Sequence, residues 1–182
     1  MDKNNRPALG FLLLGVAAIG RALLGVQGTS STAEVTLTVL AGLGAAVLGA
    51  RCRLALVAYC GQFVLELLLC GMEDGGWLRP VLRSADLWLV LAGVWVTLTA
   101  AEQLLNDEAY TAKHRLLRPA LAVLLAAQTV LLFAQTALPD LVPLNTAGAV
   151  VFVVFSLGLI WYGVHLLQAY NTLRVKNHRK IL

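Results

Sequence analysis

Two residues of opposite charge stand inside long apolar runs of the sequence. Arg21 lies in the run 8–27, and Glu66 lies in the run 53–71. Each stands thirteen residues after the first residue of its run (8 to 21 and 53 to 66), which is about 20 Å along a helix. If both runs cross a membrane in the same direction, the two side chains reach the same depth. Because an ionised group in lipid is costly without a partner, we predict a direct or water-bridged ion pair. The alternative is that Arg21 extends to the outer headgroups while Glu66 is protonated.

Further polar and aromatic residues fall at helical spacing in the neighbouring runs. In the third run, Tyr59, Gln62 and Glu66 recur at intervals of three and four, which places them on one helix face. In lipid that face should point inward. We therefore predict a pocket inside the bundle for a small polar solute, open to the outer side of the membrane, with Trp88 and Trp95 as stacking walls. Its ligand-binding residues would be Arg21, Tyr59, Gln62, Glu66, Asp86, Trp88, Trp95 and Gln135. An internal hydrogen-bond network that fixes helix register is the alternative.

The composition indicates that lipid is the solvent for most of the surface. The chain has 182 residues, of which 59% are hydrophobic and 13% are charged, whereas soluble domains carry about 25% charged residues. The apolar runs do not alternate as the strands of a membrane barrel do. We predict an all-α fold: a single-domain polytopic membrane protein, a bundle of six transmembrane helices over residues 1–182. The spans are about 8–27, 32–50, 53–71, 85–104, 118–138 and 145–169.

The basic residues predict the orientation. If the N-terminus is cytoplasmic, eleven of the 14 Lys and Arg residues fall on the inner side, and Arg79 and Arg83 fall in an outer loop, 72–84. The eleven are Lys3, Arg6, Arg51, Arg53, Lys113, Arg115, Arg118, Arg174, Lys176, Arg179 and Lys180. This bias predicts that both termini are cytoplasmic. It also explains the net charge of +4 without a nucleic-acid partner. A short cytoplasmic helix is expected after Asn106, because acids come first and bases follow.

Catalytic and metal-binding motifs are absent from the sequence. Cys52, Cys60 and Cys70 show no CxxC or CxxH spacing, which argues against a disulfide framework or a zinc site. No GxSxG, HExxH or phosphate-binding glycine loop occurs. We therefore predict that the protein is not an enzyme and carries neither a metal nor a cofactor.

Two classes of function remain from the sequence. The first is recognition or transport of a small polar solute. In size, number of spans and orientation, the predicted bundle is similar to the small substrate-binding subunits of energy-coupling-factor vitamin importers. The resemblance is one of architecture, and it implies a solute-binding role. The second class is a structural or accessory subunit that grips a membrane-protein partner. In both, the lipid bilayer is the surrounding partner, and the short loops favour a bacterial plasma membrane.

Overall fold

The computed structural model describes residues 6–27, 31–72 and 76–179, and nearly all of them are helical. The elements are α1 (Arg6–Gln27), α2 (Ser31–Leu48), α3 (Arg53–Gly71), α4 (Leu78–Leu105), α5 (Glu108–His114), α6 (Leu117–Ala137) and α7 (Val142–Arg179). Strands are absent from these three ranges. The predicted all-α class is therefore confirmed for the described residues, and α5 is the short helix expected after Asn106.

Five helical stretches are long and apolar enough to cross a membrane, where the sequence predicts six spans. They are Arg6–Leu24, Thr32–Gly71, Leu78–Leu105, Tyr110–Ala137 and Val142–Lys176. The counts differ at the second stretch. It is 40 residues long, because a 3₁₀ turn, Gly49–Cys52, follows α2 directly and leads directly into α3.

The chain changes direction at this 3₁₀ turn. Gly49 has φ of 68°, a left-handed conformation that glycine adopts without steric cost. Beyond the turn, α3 packs back along α2. Thr38 of α2 contacts Glu66 of α3, and Gly42 lies beside Tyr59. Since the position on α3 falls as the position on α2 rises, α2 and α3 form an antiparallel hairpin.

Helix α4 begins earlier than the sequence analysis predicts. The fourth span was expected from residue 85, after a loop over 72–84, yet α4 starts at Leu78. Pro80 is its third residue, where the missing N–H would have had no helical acceptor in any case. Arg79 and Arg83 consequently belong to a helix and not to a loop. The predicted spans 8–27, 32–50 and 118–138 lie within two residues of α1, α2 and α6, and α3 coincides with 53–71. Helix α7 continues to Arg179, beyond the predicted end of the sixth span at residue 169.

The six longer helices form a ring around a shared core. Each packs against two neighbours in the order α1, α2, α3, α4, α6, α7 and back to α1, and α4 also contacts α7. Glycines bring backbones together on both sides of α1. A Cβ on Gly10 would lie 2.9 Å from the carbonyl oxygen of Gly44, and one on Gly15 would lie 3.0 Å from that of Gly163. The small residues of α1 are thus contacts within the bundle, as helix packing in lipid favours.

Candidate functional site

Arg21 and Glu66 form the direct ion pair that the sequence predicts. The Arg21 Nη2 atom donates to Glu66 Oε1 at 2.5 Å, and the two side chains are 15% and 3% exposed. The pair joins α1 to α3. Arg21 points into the bundle, so the alternative in which it extends to headgroups does not describe this structure. Ligand binding by the two residues stays a prediction.

Three further residues, Thr38, Gln62 and Asp86, join this pair. We call the five residues together the Arg21 network: Arg21, Thr38, Gln62, Glu66 and Asp86. Arg21 donates to Asp86 Oδ2 at 3.2 Å and to Thr38 Oγ1 at 2.9 Å. Thr38 in turn donates to Glu66 Oε1 at 2.8 Å, and Gln62 Nε2 donates to Asp86 Oδ1 at 3.1 Å. Four helices, α1 to α4, are joined by these contacts. Sequence reasoning anticipated four of the five residues and missed Thr38.

A second ion pair lies beside the Arg21 network. Arg83 of α4 contacts both oxygens of Glu34 in α2, at 3.5 and 3.4 Å, and it is the more exposed partner. Arg83 was expected in the loop 72–84, without a partner. Two spacings in the sequence could have predicted this pair: Glu34 is four residues before Thr38, and Arg83 is three before Asp86. Each spacing puts both residues on one helix face.

Two polar atoms of the Arg21 network have no hydrogen-bond partner among the described residues. They are Gln62 Oε1 and Glu66 Oε2, and both are buried. Gln62 is fully buried and Glu66 nearly so. Both atoms are acceptors in the ionised network, and a buried acceptor without a donor costs about 1–3 kcal/mol. The network therefore lacks a donor at this point.

The described residues form two small cavities beside Arg21. One, of about 30 Å³, is lined by Arg21, Tyr59, Gln62 and Tyr162 among others. The other, of about 20 Å³, is lined by Arg21, Glu34, Arg83 and Asp86 together with apolar residues of α7. A water molecule needs a space of roughly 10–15 Å³, and pockets for organic ligands span about 300–1,000 Å³. Each cavity thus has room for one or two waters.

Tyr59 lies in the core beside the first cavity. Its ring packs against α4 at Gly93, where a Cβ would approach the Tyr59 hydroxyl to 2.9 Å. In the same region, Tyr162 of α7 and Thr97 of α4 share a hydrogen bond of 2.5 Å. Tyr59 is therefore near the Arg21 network, as predicted. The space that the described residues form beside it is water-sized.

The structure does not bring the other three predicted site residues, Trp88, Trp95 and Gln135, together with Arg21. Trp88 and Trp95 are 44% and 47% exposed and do not wall a pocket at Arg21. Their face of α4 is opposite to that of Asp86, and a tryptophan can face lipid without an unsatisfied charge. Gln135 of α6 donates to the carbonyl oxygen of Leu144 at 3.3 Å and so ties α6 to the start of α7.

A separate ion pair joins the C-terminal part of α4 to the N-terminus of α6. We call it the Arg118 network: Trp95, Thr99, Glu102 and Arg118. Arg118 Nη2 lies 2.9 Å from Glu102 Oε2 and 3.2 Å from Thr99 Oγ1. Its guanidinium carbon is 5.5 Å from the centre of the Trp95 ring, within range of a cation–π contact. The Trp95 ring is therefore in contact with the guanidinium of Arg118.

Comparisons with known proteins found no matching family model, no matching curated protein and no matching solved structure. A function must therefore be argued from the geometry and charge of the sites. The Arg21 network is the most buried concentration of charge described above. It provides hydrogen-bond acceptors and water-sized spaces.

Proposed function

We propose that the protein is an integral membrane protein of six spans, with both termini on the cytoplasmic side of a bacterial plasma membrane. The antiparallel hairpin supports six spans. Helices α2 and α3 contain 18 and 19 residues, or about 27 and 28 Å at 1.5 Å per residue, which is near the 30 Å of a bilayer core. The excess of basic residues on one side supports the orientation.

Reporter fusions at the two ends of the chain test the number of spans. With six spans, the termini share one side; with five, they lie on opposite sides. We expect a C-terminal green fluorescent protein to fluoresce and a C-terminal alkaline phosphatase to be inactive in a bacterial host. The same two reporters at the N-terminus supply the matched comparison. An active C-terminal phosphatase with a cytoplasmic N-terminus would refute six spans.

For the Arg21 network we propose a structural role in an accessory membrane subunit. The observation that carries this proposal is that the site is closed: Arg21 reaches Glu66, Asp86 and Thr38, and the two cavities that the described residues form beside it are water-sized. The contacts come from α1, α2, α3 and α4, so one guanidinium fixes the relative positions of four helices. A membrane-protein partner would then contact a bundle that is already rigid.

Solute recognition is the second candidate, and one observation favours it. Two buried acceptors, Gln62 Oε1 and Glu66 Oε2, have no partner among the described residues. A solute that donates hydrogen bonds would supply the partners. The size of the neighbouring cavities restricts such a ligand in this conformation. An organic solute would require α1 or α4 to move.

A thermal-shift screen separates the two candidates. The full chain in detergent is heated with panels of sugars, amino acids, organic cations and vitamins. The structural role predicts no shift of the unfolding temperature with any class. A reproducible shift with one class, lost in Glu66→Gln and kept in Glu34→Gln, would support solute recognition and refute the purely structural role.

A further inference from the structure

The buried charges around Arg21 do not balance. Arg21 of α1 faces two carboxylates, Glu66 of α3 and Asp86 of α4. The adjacent pair, Arg83 of α4 and Glu34 of α2, is neutral in total. From α7, the residues that line the nearby cavities are Phe152, Phe155, Ser156, Leu159 and Tyr162, and none of these carries a charge at neutral pH. Within the ion pairs that the described residues form here, and with all acids ionised, three carboxylates face two guanidiniums, which leaves one uncompensated negative charge in a region where such a charge is expensive.

The surplus negative charge and the acceptors without a donor lie in the same part of the Arg21 network. Glu66 Oε2 and Gln62 Oε1 are both without a partner, and the two residues lie one turn apart on α3, where side chains four residues apart are neighbours. The orientation of the Gln62 amide is fixed chemically. Its Nε2 donates to Asp86 Oδ1, and a flipped amide would set two acceptor oxygens against each other.

We infer that the Arg21 network binds one exchangeable proton, held on Glu66 Oε2 and donated to Gln62 Oε1. Protonation forms a single O–H bond, with the proton supplied by a hydronium ion that becomes water, and no electrons are transferred. The one proton gives both buried oxygens a hydrogen bond and cancels the surplus charge. Arg21 then balances Asp86, while Glu66 Oε1 still accepts from Arg21 and Thr38. This function goes beyond a fixed structural role, because a proton site responds to its surroundings.

The cavities beside the network provide a way for the proton to enter and leave. The space of about 30 Å³ is lined by Gln62 and by the hydroxyl-bearing Tyr59 and Tyr162. The space of about 20 Å³ is lined by Arg21 and Asp86 and reaches the more exposed Arg83. Both can hold a water, and both are lined by polar groups that can bind it. Gln62, the proposed acceptor of the proton, lines the first space, so a water there would lie one residue away from the proton on Glu66.

Infrared spectroscopy of the full-length protein in lipid nanodiscs tests this inference directly. A protonated carboxylic acid has a carbonyl stretching band well separated from the bands of carboxylates. We expect this band in the wild type at neutral pH and its complete loss in Glu66→Gln, which mimics the neutral acid. Glu102→Gln is the matched control, because it removes a carboxylate from the separate Arg118 network and leaves the charges around Arg21 as they are, and it should leave the band unchanged.

Thr38→Val assigns the band to Glu66 and does not depend on the glutamine variant folding. Thr38 donates to Glu66 Oε1, the carbonyl oxygen of the proposed acid. Loss of that donor should shift the band to higher frequency. A band that stays in place in Thr38→Val and persists in Glu66→Gln would belong to another residue and overturn the assignment.

Two further outcomes would overturn the inference. One is a wild type that shows no carboxylic-acid band at any pH at which it remains folded. The other is a missing band together with a rise in unfolding temperature in sodium chloride, relative to choline chloride, that Glu66→Gln abolishes. In that case the occupant would be a sodium ion and not a proton.

Discussion

The Arg21 and Arg118 networks are built from the same groups but at different depths. Arg21 is the sixteenth residue of α1, whereas Arg118 is the second residue of α6. The carboxylates that face Arg21 are 3% and 1% exposed, and the carboxylate of Glu102 is 20% exposed. Arg118 also rests over Trp95. One network joins four helices in the interior, and the other joins two helices near their ends.

This difference in depth determines what each ion pair does for the protein. Near a helix end, water and headgroups can solvate either partner when the other is removed, so the pair contributes little. In the interior, a charge that loses its partner has no such substitute, so breaking the pair is costly even if forming it is nearly neutral. We therefore expect substitutions in the two networks to separate clearly.

The largest expected effect is that of Arg21→Met. It leaves Asp86 and Glu66 buried without their guanidinium, which should lower the free energy of unfolding by about 3–5 kcal/mol. Arg118→Met, the matched change at the other network, should cost less than about 1 kcal/mol. Chemical unfolding of both variants in the same detergent measures the difference.

A compensating variant checks the reason for this loss. Arg21→Met combined with Asp86→Asn removes both charges, so it should be more stable than Arg21→Met alone. Equal losses for Arg21→Met and Arg118→Met, or no recovery in the double variant, would show that burial does not distinguish the two networks.

A smaller effect is expected from the close approach of α1 to α7. A valine at Gly15 would collide with the backbone of Gly163, where even a Cβ lies 3.0 Å from the carbonyl oxygen. Because α1 carries Arg21, displacing it should disturb the Arg21 network and cost about 1–3 kcal/mol. The Arg118 network, on α4 and α6, should be unaffected.

Gly42→Ala is the control for this substitution. A Cβ there meets only Tyr59 at 3.8 Å, an ordinary contact, so the variant should unfold like the wild type. Thermal unfolding of Gly15→Val and Gly42→Ala provides the comparison. Equal unfolding temperatures would mean that α1 does not need to approach α7 so closely.

The smallest expected effect is the response of the ion pairs to salt. The coupling between Arg118 and Glu102, measured by a double-mutant cycle, should be about 0.2–1 kcal/mol and should fall as salt screens it. The coupling between Arg21 and Asp86 should not change with salt, because ions do not reach it. Cycles measured by unfolding at low and high ionic strength test this, and a salt-sensitive Arg21–Asp86 coupling would place that pair in contact with solvent.

The parts of the site that could be predicted were those with a charge in an apolar run. The cost of burying Arg21 and Glu66 leaves few acceptable arrangements, and equal depth along two helices was enough to pair them. Thr38 could not be found in this way, since a threonine is tolerated on any face of a membrane helix. Trp88 and Trp95 were expected beside Arg21 but lie on the opposite face of α4. Their position could not be predicted because aromatic side chains suit lipid as well as protein.

The fold was predictable to a similar degree and for similar reasons. Apolar length located the helices, and α3 was placed to the residue. The start of α4 was missed because Arg79 and Arg83 resemble loop residues by charge, whereas Pro80 is compatible with a first helical turn. The number of spans depends on Gly49, whose left-handed backbone cannot be distinguished in sequence from that of any other glycine.

The long sequence separations within the Arg21 network have a consequence for biosynthesis. Arg21 enters the membrane with the first helix, but its carboxylate partners follow 45 and 65 residues later. An arginine in a lone membrane helix costs about 2.5–3.5 kcal/mol on insertion scales. Thr38, 17 residues on, is the first partner to be synthesised. We therefore expect the nascent first helix to stay beside the insertion machinery until the fourth helix emerges from the ribosome.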